Sequence, residues 1–204
     1  MKKIRILPVL LLLVLSLSGC TFPSGDELLA APKPSSNYET LQTELENQLA
    51  SGVTYTAPTG GENRSAIQLV DLDGDGLDEA IAFFRGSSSI TSSEFKVSIY
   101  KKQEDKYVCT GSIEGKGTAI QSVDFPTITP RGAHGMVIAW KLPGDGVGAL
   151  TMCDFDQSCQ PGVLLETEYS AMELTDLTGD GAKDLLLLAS DQGGKRVARL
   201  YCYA

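Results

Sequence analysis

Ile67-Gln68-Leu69-Val70-Asp71-Leu72-Asp73-Gly74-Asp75-Gly76-Leu77-Asp78-Glu79-Ala80-Ile81-Ala82-Phe83 decides how this chain folds, because the pattern occurs twice. The second copy is Ala171-Met172-Glu173-Leu174-Thr175-Asp176-Leu177-Thr178-Gly179-Asp180-Gly181-Ala182-Lys183-Asp184-Leu185-Leu186-Leu187. Each copy reads as a strand, a tight acidic loop and an apolar strand. Asp71 and Asp176 open the two loops 105 residues apart, the length of two units of about fifty. A degenerate copy lies between them. Ser122–Phe125, Thr129–Gly135 and Met136–Trp140 keep the strand-loop-strand rhythm without the carboxylates. Each unit has room for four strands, the content of a propeller blade. The units run over about 65–115, 119–168 and 171–204, and the third ends after three strands.

Working outward, short β-branched or alternating runs broken by Gly, Asp, Asn and Pro place strands near Ser65–Leu72, Glu79–Phe84, Phe95–Lys102, Tyr107–Ile113, Ile120–Phe125 and Met136–Lys141. Further strands are expected near Ala149–Cys153, Val163–Glu168, Ala171–Leu177, Asp184–Ala189 and Arg196–Tyr203. Val97 and Ile99 alternate with Lys96 and Ser98, as a half-buried antiparallel strand requires. Ala80–Phe84 and Leu185–Ala189 are nearly all apolar, which predicts strands covered on both faces. Ahead of the β-rich region 53–204, Tyr38, Leu41, Leu45 and Leu49 recur at helical spacing. Asn37 can cap that helix and Gly52 ends it, giving an amphipathic helix over 37–52 that packs on the domain. The expected class is mainly all-β: a partial β-propeller-like array of about three four-stranded blades, preceded by one amphipathic helix.

The loops carry the chemistry. Gly74 and Gly76 let the backbone turn tightly, so Asp71, Asp73 and Asp75 can converge. The Leu77 carbonyl and Glu79 complete a set of oxygens at relative positions 1, 3, 5, 7 and 9. Hard oxygens in that number suit Ca²⁺. The second loop offers Asp176, Thr178, Asp180, the Ala182 carbonyl and Asp184. It has one carboxylate fewer and is expected to bind more weakly. An EF-hand is excluded, since its position 12 needs a bidentate Glu. Those positions here are Ala82 and Leu187, both inside apolar strands. Asp-Gly turns in general need no metal. Three aspartates within five residues, however, repel one another unless a cation neutralises them.

These loops resemble the Asp-x-Asp-x-Asp-Gly-x-x-Asp/Glu calcium loops of FG-GAP and VCBS repeats, found in integrin α-chain propellers and many bacterial surface proteins. Asn63-Arg64-Ser65-Ala66 before the first loop, together with a leader, tether and helix, is similar to VCBS-repeat lipoproteins of Gram-positive anaerobes. The resemblance covers most of 38–204 and implies calcium sites in propeller blades, but no particular activity. The chain departs from the pattern in three ways. It has no clear Phe-Gly or Gly-Ala-Pro signature. Its middle unit lacks the acids. A closed ring needs four or more blades.

The amino terminus gives an address. Lys2, Lys3 and Arg5 precede an apolar run over 6–17, and Leu17-Ser18-Gly19-Cys20 follows. A basic start, a short apolar core and a small-residue cut site mark a secretory signal over 1–19. The apolar run falls short of the roughly 20 residues that a membrane span needs. Small residues running into a cysteine resemble the lipobox of bacterial lipoproteins. That likeness implies cleavage after Gly19 and lipidation of Cys20, which places the protein on the extracytoplasmic face of the cell membrane. Residues 20–36, rich in Pro, Ser and Ala, read as a flexible tether. Loss of the signal removes three basic and no acidic residues, taking the net charge from −9 to −12. Such a surface repels nucleic acid and favours divalent cations.

Four cysteines remain in the exported chain. Cys153 and Cys159 flank a short acidic turn, and Cys109 and Cys202 are left over. Two disulfides in that pairing are one reading, and four free thiols are the other.

Catalytic signals are sparse. His134 is the only histidine, which excludes His-rich zinc sites, and no Gly-x-Ser-x-Gly elbow is present. Gly111, Gly115 and Gly117 have no Lys-Ser/Thr partner that would make a P-loop. Trp140, the only tryptophan, is expected in the core. The expected role is a non-catalytic surface module that binds protein or glycan, with calcium stiffening its loops. A hydrolase of envelope or extracellular polymers is the alternative, and it requires His134 or a carboxylate pair facing a cleft. A truncated half of a longer repeat lipoprotein is a third reading.

Overall fold

The computed structural model describes residues 38–86, 95–127, 133–144, 146–191 and 193–202. The expected signal segment, Cys20, the tether and Asn37 lie outside the described residues.

Helix α1 spans Glu39–Ala50, preceded by Tyr38. Its Leu41 and Leu45 are buried, and Leu49 packs beside them. The helix ends where Gly52 takes φ 92°, with its N–H bonded to the Leu49 carbonyl at 3.0 Å. The strands follow as β1 (Val53–Tyr55), β2 (Ile67–Val70), β3 (Glu79–Gly86), β4 (Phe95–Gln103), β5 (Lys106–Glu114) and β6 (Ala119–Asp124). They continue as β7 (Met136–Lys141), β8 (Gly148–Phe155), β9 (Pro161–Tyr169), β10 (Ala171–Thr175), β11 (Asp184–Ser190) and β12 (Arg196–Tyr201).

All pairings between these strands are antiparallel, and none of the sheets closes on itself. The first sheet runs β3-β4-β5, and the free edge of β3 is shared by two short strands. β1 pairs with its far end (Val53 opposite Gly86), and β2 with its near end (Val70 opposite Glu79). The second sheet is the meander β6-β7-β8-β9, and the third is β10-β11-β12. Short connections make such meanders the simplest way to pair consecutive strands.

Strand parity explains how the layers stack. On β3, Ala80, Ala82 and Phe84 point to one face and pack under Leu41 and Leu45 of α1. Ile81 and Phe83 point to the other face. They meet Val97 and Ile99 of β4 and, from the second sheet, Ile120, Met136, Ile138 and Trp140. The opposite parity of β7, Val137 and Ala139, packs with Leu150 against Leu185 and Leu187 of the third sheet. The order is therefore helix, first sheet, second sheet, third sheet, with apolar layers between neighbours. Trp140 is fully buried between the first two sheets, and its Nε1 donates to Thr151 Oγ1 at 3.0 Å. An indole N–H in a dry core needs such a partner.

The apolar run Ala80–Phe84 is covered on both faces, by helix and sheet. Leu185–Ala189 corrects the sequence expectation: only one face is covered. Leu185, Leu187 and Ala189 are buried, whereas Leu188 is exposed, because no described layer stacks beyond the third sheet. β1 was not expected either.

Candidate metal centre

The first acidic loop joins β2 to β3. Asp71 accepts the N–H of Gly74 at 2.7 Å and of Gly76 at 2.9 Å, one through each carboxylate oxygen. Asp73 accepts from Asp75 N, and Asp75 accepts from Leu77 N. Glu79, at the start of β3, reaches back to the Leu72 N–H at 3.0 Å and is buried. Gly74 and Gly76 sit at φ 79° and 85°, a region L side chains rarely adopt. The turn they permit brings carboxylate oxygens of Asp71, Asp73 and Asp75 within 4.8 Å of one another. This acidic cluster has a composition and spacing that can hold a metal ion.

The second loop joins β10 to β11 and repeats the backbone pattern. Asp176 accepts from Gly179 at 2.6 Å and Gly181 at 3.0 Å, and those glycines sit at φ 78° and 89°. Asp180 accepts from Ala182 N at 2.8 Å. Asp184, the counterpart of Glu79, accepts from Leu177 and Thr178 N through Oδ2. Thr178 replaces Asp73, and no group of three acids in this loop converges as the first three aspartates do, among the described residues. Leu77 and Ala182, the residues whose carbonyls were expected as ligands, occupy matched steps of the two loops.

A residue the sequence reading missed stands inside the first loop. Lys101 of β4 projects its ammonium to Asp73 at 2.5 Å, Asp75 at 2.8 Å and Glu79 at 3.4 Å. Cys159, from the turn between β8 and β9, brings its sulfur to 3.8 Å from the same nitrogen. Burial opposes the Lys101 charge, but the hydrogen bonds to Asp73 and Asp75 outweigh it and hold the ammonium above the ordinary lysine range. The same contact with Lys101 holds the Asp75 carboxyl below the usual range. Burial pushes Glu79 up. One signal for Lys101 was available. It shares strand parity with the inward Phe95, Val97 and Ile99, and a lysine at an inward position needs an acidic partner.

At the second loop the matching position is different. In the first sheet Ala80 pairs with Tyr100, so Lys101 lies opposite Glu79. In the third sheet Leu185 pairs with Tyr201, so Cys202 lies opposite Asp184. Burial raises Asp184, but the Leu177 and Thr178 N–H groups prevail and hold its carboxyl below the usual range. Its Oδ1 is buried and makes no hydrogen bond of proper geometry. The neighbouring Cys202 thiol is a weak donor.

A cavity of about 450 Å³ opens between the second and third sheets. Leu72, His134, Asp154, Lys183, Tyr201 and Cys202 are among the residues that line it. The backbone N–H of His134 donates to the Leu72 carbonyl, and its ring is oriented by Nδ1, which lies 3.1 Å from the Phe125 carbonyl. No serine or threonine is among the described lining residues. The Cys202 thiol is pushed up by burial and by Asp184, the wrong direction for a nucleophile.

The four described cysteines carry free thiols. Cys153 and Cys159 share the core between the first two sheets, where Cys159 turns its sulfur to Lys101. Cys109 lies on β5 of the first sheet, and Cys202 follows β12 of the third, so the second sheet separates them. No described helix is long and apolar enough to cross a membrane. Neither a scan against known protein families nor a search among curated proteins finds a match.

Proposed function

We propose that this chain is a lipoprotein held by Cys20 on the extracytoplasmic face of a bacterial membrane. Its β-sheets form a propeller-like array of the FG-GAP/VCBS kind, and its acidic loops take Ca²⁺. In this reading the module binds a protein or glycan partner and performs no catalysis.

The observation that carries the reading is the matched pair of loops. They share the same backbone hydrogen bonds, the same two left-handed glycines and the same returning carboxylate at the next strand. Hard carboxylate, hydroxyl and carbonyl oxygens favour calcium over softer metals. The buried Oδ1 of Asp184, which has only the weak Cys202 thiol beside it, supports the same reading, since such an oxygen ordinarily has a strong partner. The face-to-face stacking of antiparallel sheets supports the propeller-like array. His134 lines the cavity, but against a hydrolase stand the raised Cys202 thiol and a described lining that holds no serine or threonine and a single carboxylate, Asp154. An acidic surface argues against nucleic-acid partners.

Calcium at millimolar concentration is expected to raise the melting temperature of the protein, and EDTA to lower it. Unchanged melting in both, together with no calcium in the purified protein by elemental analysis, overturns the calcium reading. For the anchor, Cys20→Ala is expected to release the protein from membranes. A variant that fractionates with membranes as wild type does refutes that part alone.

A further inference from the structure

The two acidic loops share a backbone but differ in what faces them from the neighbouring strand. At the first loop it is Lys101, and at the second it is Cys202. We propose that the Lys101 ammonium is the first loop's own cation, so that an added divalent ion loads the second loop first and enters the first only by displacing Lys101. This rests on the reading of both loops as divalent-cation sites.

The geometry supports a tethered cation. An ammonium has three donors and no acceptor, and Lys101 directs its nitrogen to three separate carboxylates of one loop. The Lys101 side chain is only 14% exposed, Asp73 6% and Glu79 1%, so water screens those two ion pairs weakly and the pair with the more exposed Asp75 more strongly. Glu79 divides its oxygens: Oε2 takes the Leu72 N–H and Oε1 faces Lys101. An external ion at the same carboxylates would meet a positive charge already in place. The two cations are therefore mutually exclusive.

The second loop shows the same arrangement with the cation position unserved by the chain. Asp184 spends Oδ2 on the Leu177 and Thr178 N–H groups, as Glu79 spends Oε2 on Leu72. Its other oxygen corresponds to the one that faces Lys101 in the first loop. That oxygen is buried and makes no hydrogen bond of proper geometry, with only the weak Cys202 thiol donor beside it, and no lysine or arginine forms a salt bridge with this loop among the described residues. Counting carboxylates alone ranks the first loop as the stronger site. The tethered ammonium reverses that order.

Calorimetric titration of the full-length protein with CaCl₂ tests the proposal. Wild type is expected to bind one ion tightly and a second only at much higher calcium, as Lys101 is displaced. Cys202→Lys, which grafts the ammonium onto the second loop, is expected to lose the tight ion or bind it more than tenfold more weakly, whereas Cys202→Ala, which removes only a weak thiol donor, binds at least as tightly as wild type. Lys101→Gln is expected to bind two ions tightly and to melt at a temperature that depends on calcium at both. Lys101→Met is expected to behave alike and guards against a misfolded single variant. Two ions bound by wild type with equal affinity, wild-type binding by Cys202→Lys, or no tightened second ion in the Lys101 variants overturns the proposal. Absence of binding by every one of these proteins overturns the cation reading itself, a distinct failure.

Discussion

Leu72 and Leu177 occupy the same step of two matched loops, yet Leu72 is wholly buried and Leu177 is 51% exposed. Leu72 points into the layer between the first and second sheets. Leu177 points to the side of the third sheet on which no described layer lies. Ile99 and Leu200 repeat the contrast, at 0% and 50%. Each lies one residue before the tyrosine, Tyr100 or Tyr201, that pairs with the first apolar residue after the loop.

This relationship predicts opposite outcomes for one substitution. Leu200→Lys should change unfolding free energy by no more than about 0.5 kcal/mol, as at other surface positions. Ile99→Lys places an unpaired charge in a dry layer and should abolish cooperative folding. Urea denaturation followed by circular dichroism distinguishes them. Light scattering should also show less self-association for Leu188→Lys/Leu200→Lys than for wild type, because that pair breaks an exposed apolar patch.

Trp140 and Thr151 give a second prediction. Thr151→Val keeps the shape but strips the indole N–H of its only described acceptor, at a cost of roughly 1–3 kcal/mol. Trp140→Phe/Thr151→Val removes both partners and should recover part of that loss. Equal destabilisation in the single and double variants, measured in urea, counts against a hydrogen-bond origin.

Gly117 gives a third. It sits at φ 71°, and a Cβ there would lie 2.1 Å from the Lys141 carbonyl oxygen. Backbone cannot retreat as a flexible side chain can. Gly117→Ala should therefore cost more than about 1 kcal/mol. Gly144→Ala, also at positive φ but with open space around the new atom, should cost less. Thermal melts of the two variants provide the comparison.

The pH dependence follows from Asp124. Burial raises its carboxyl, Lys183 pulls it back and Glu62 adds to the rise. A folded-state pKa above the unfolded one means that the protonated form is the one the fold favours. This contribution is full below the ordinary aspartate range and is lost as pH rises through the raised value. Asp124→Asn should therefore raise the melting temperature relative to wild type at pH 7 and leave little difference at pH 3. A constant difference across that range would rule Asp124 out as the source.

Much of this architecture was legible in the sequence because it is local. Alternation placed β4, and the paired Asp-Gly loops placed the turns before β3 and β11. β1 was missed because its reason is remote: Val53–Tyr55 is held by Phe84–Gly86, some thirty residues away. The run Leu185–Ala189 misled because composition reports the faces a strand is suited to bury, and its outer face has no described layer to meet. Lys101 was missed for a related reason. The loop motif names ligands within one segment, whereas the cation arrives from the neighbouring strand and becomes visible only once β3 and β4 are in register.

The layered order also grades how easily the fold opens. The second sheet is gripped on both faces, by the first and third, while the third is gripped on one. Amide exchange should be slowest in β7 and fastest in β10–β12, with local opening beginning at the outermost strands. The second acidic loop lies at that looser end. An ion bound at Asp176, Asp180 and Asp184 would therefore tighten the part of the molecule that otherwise frays first.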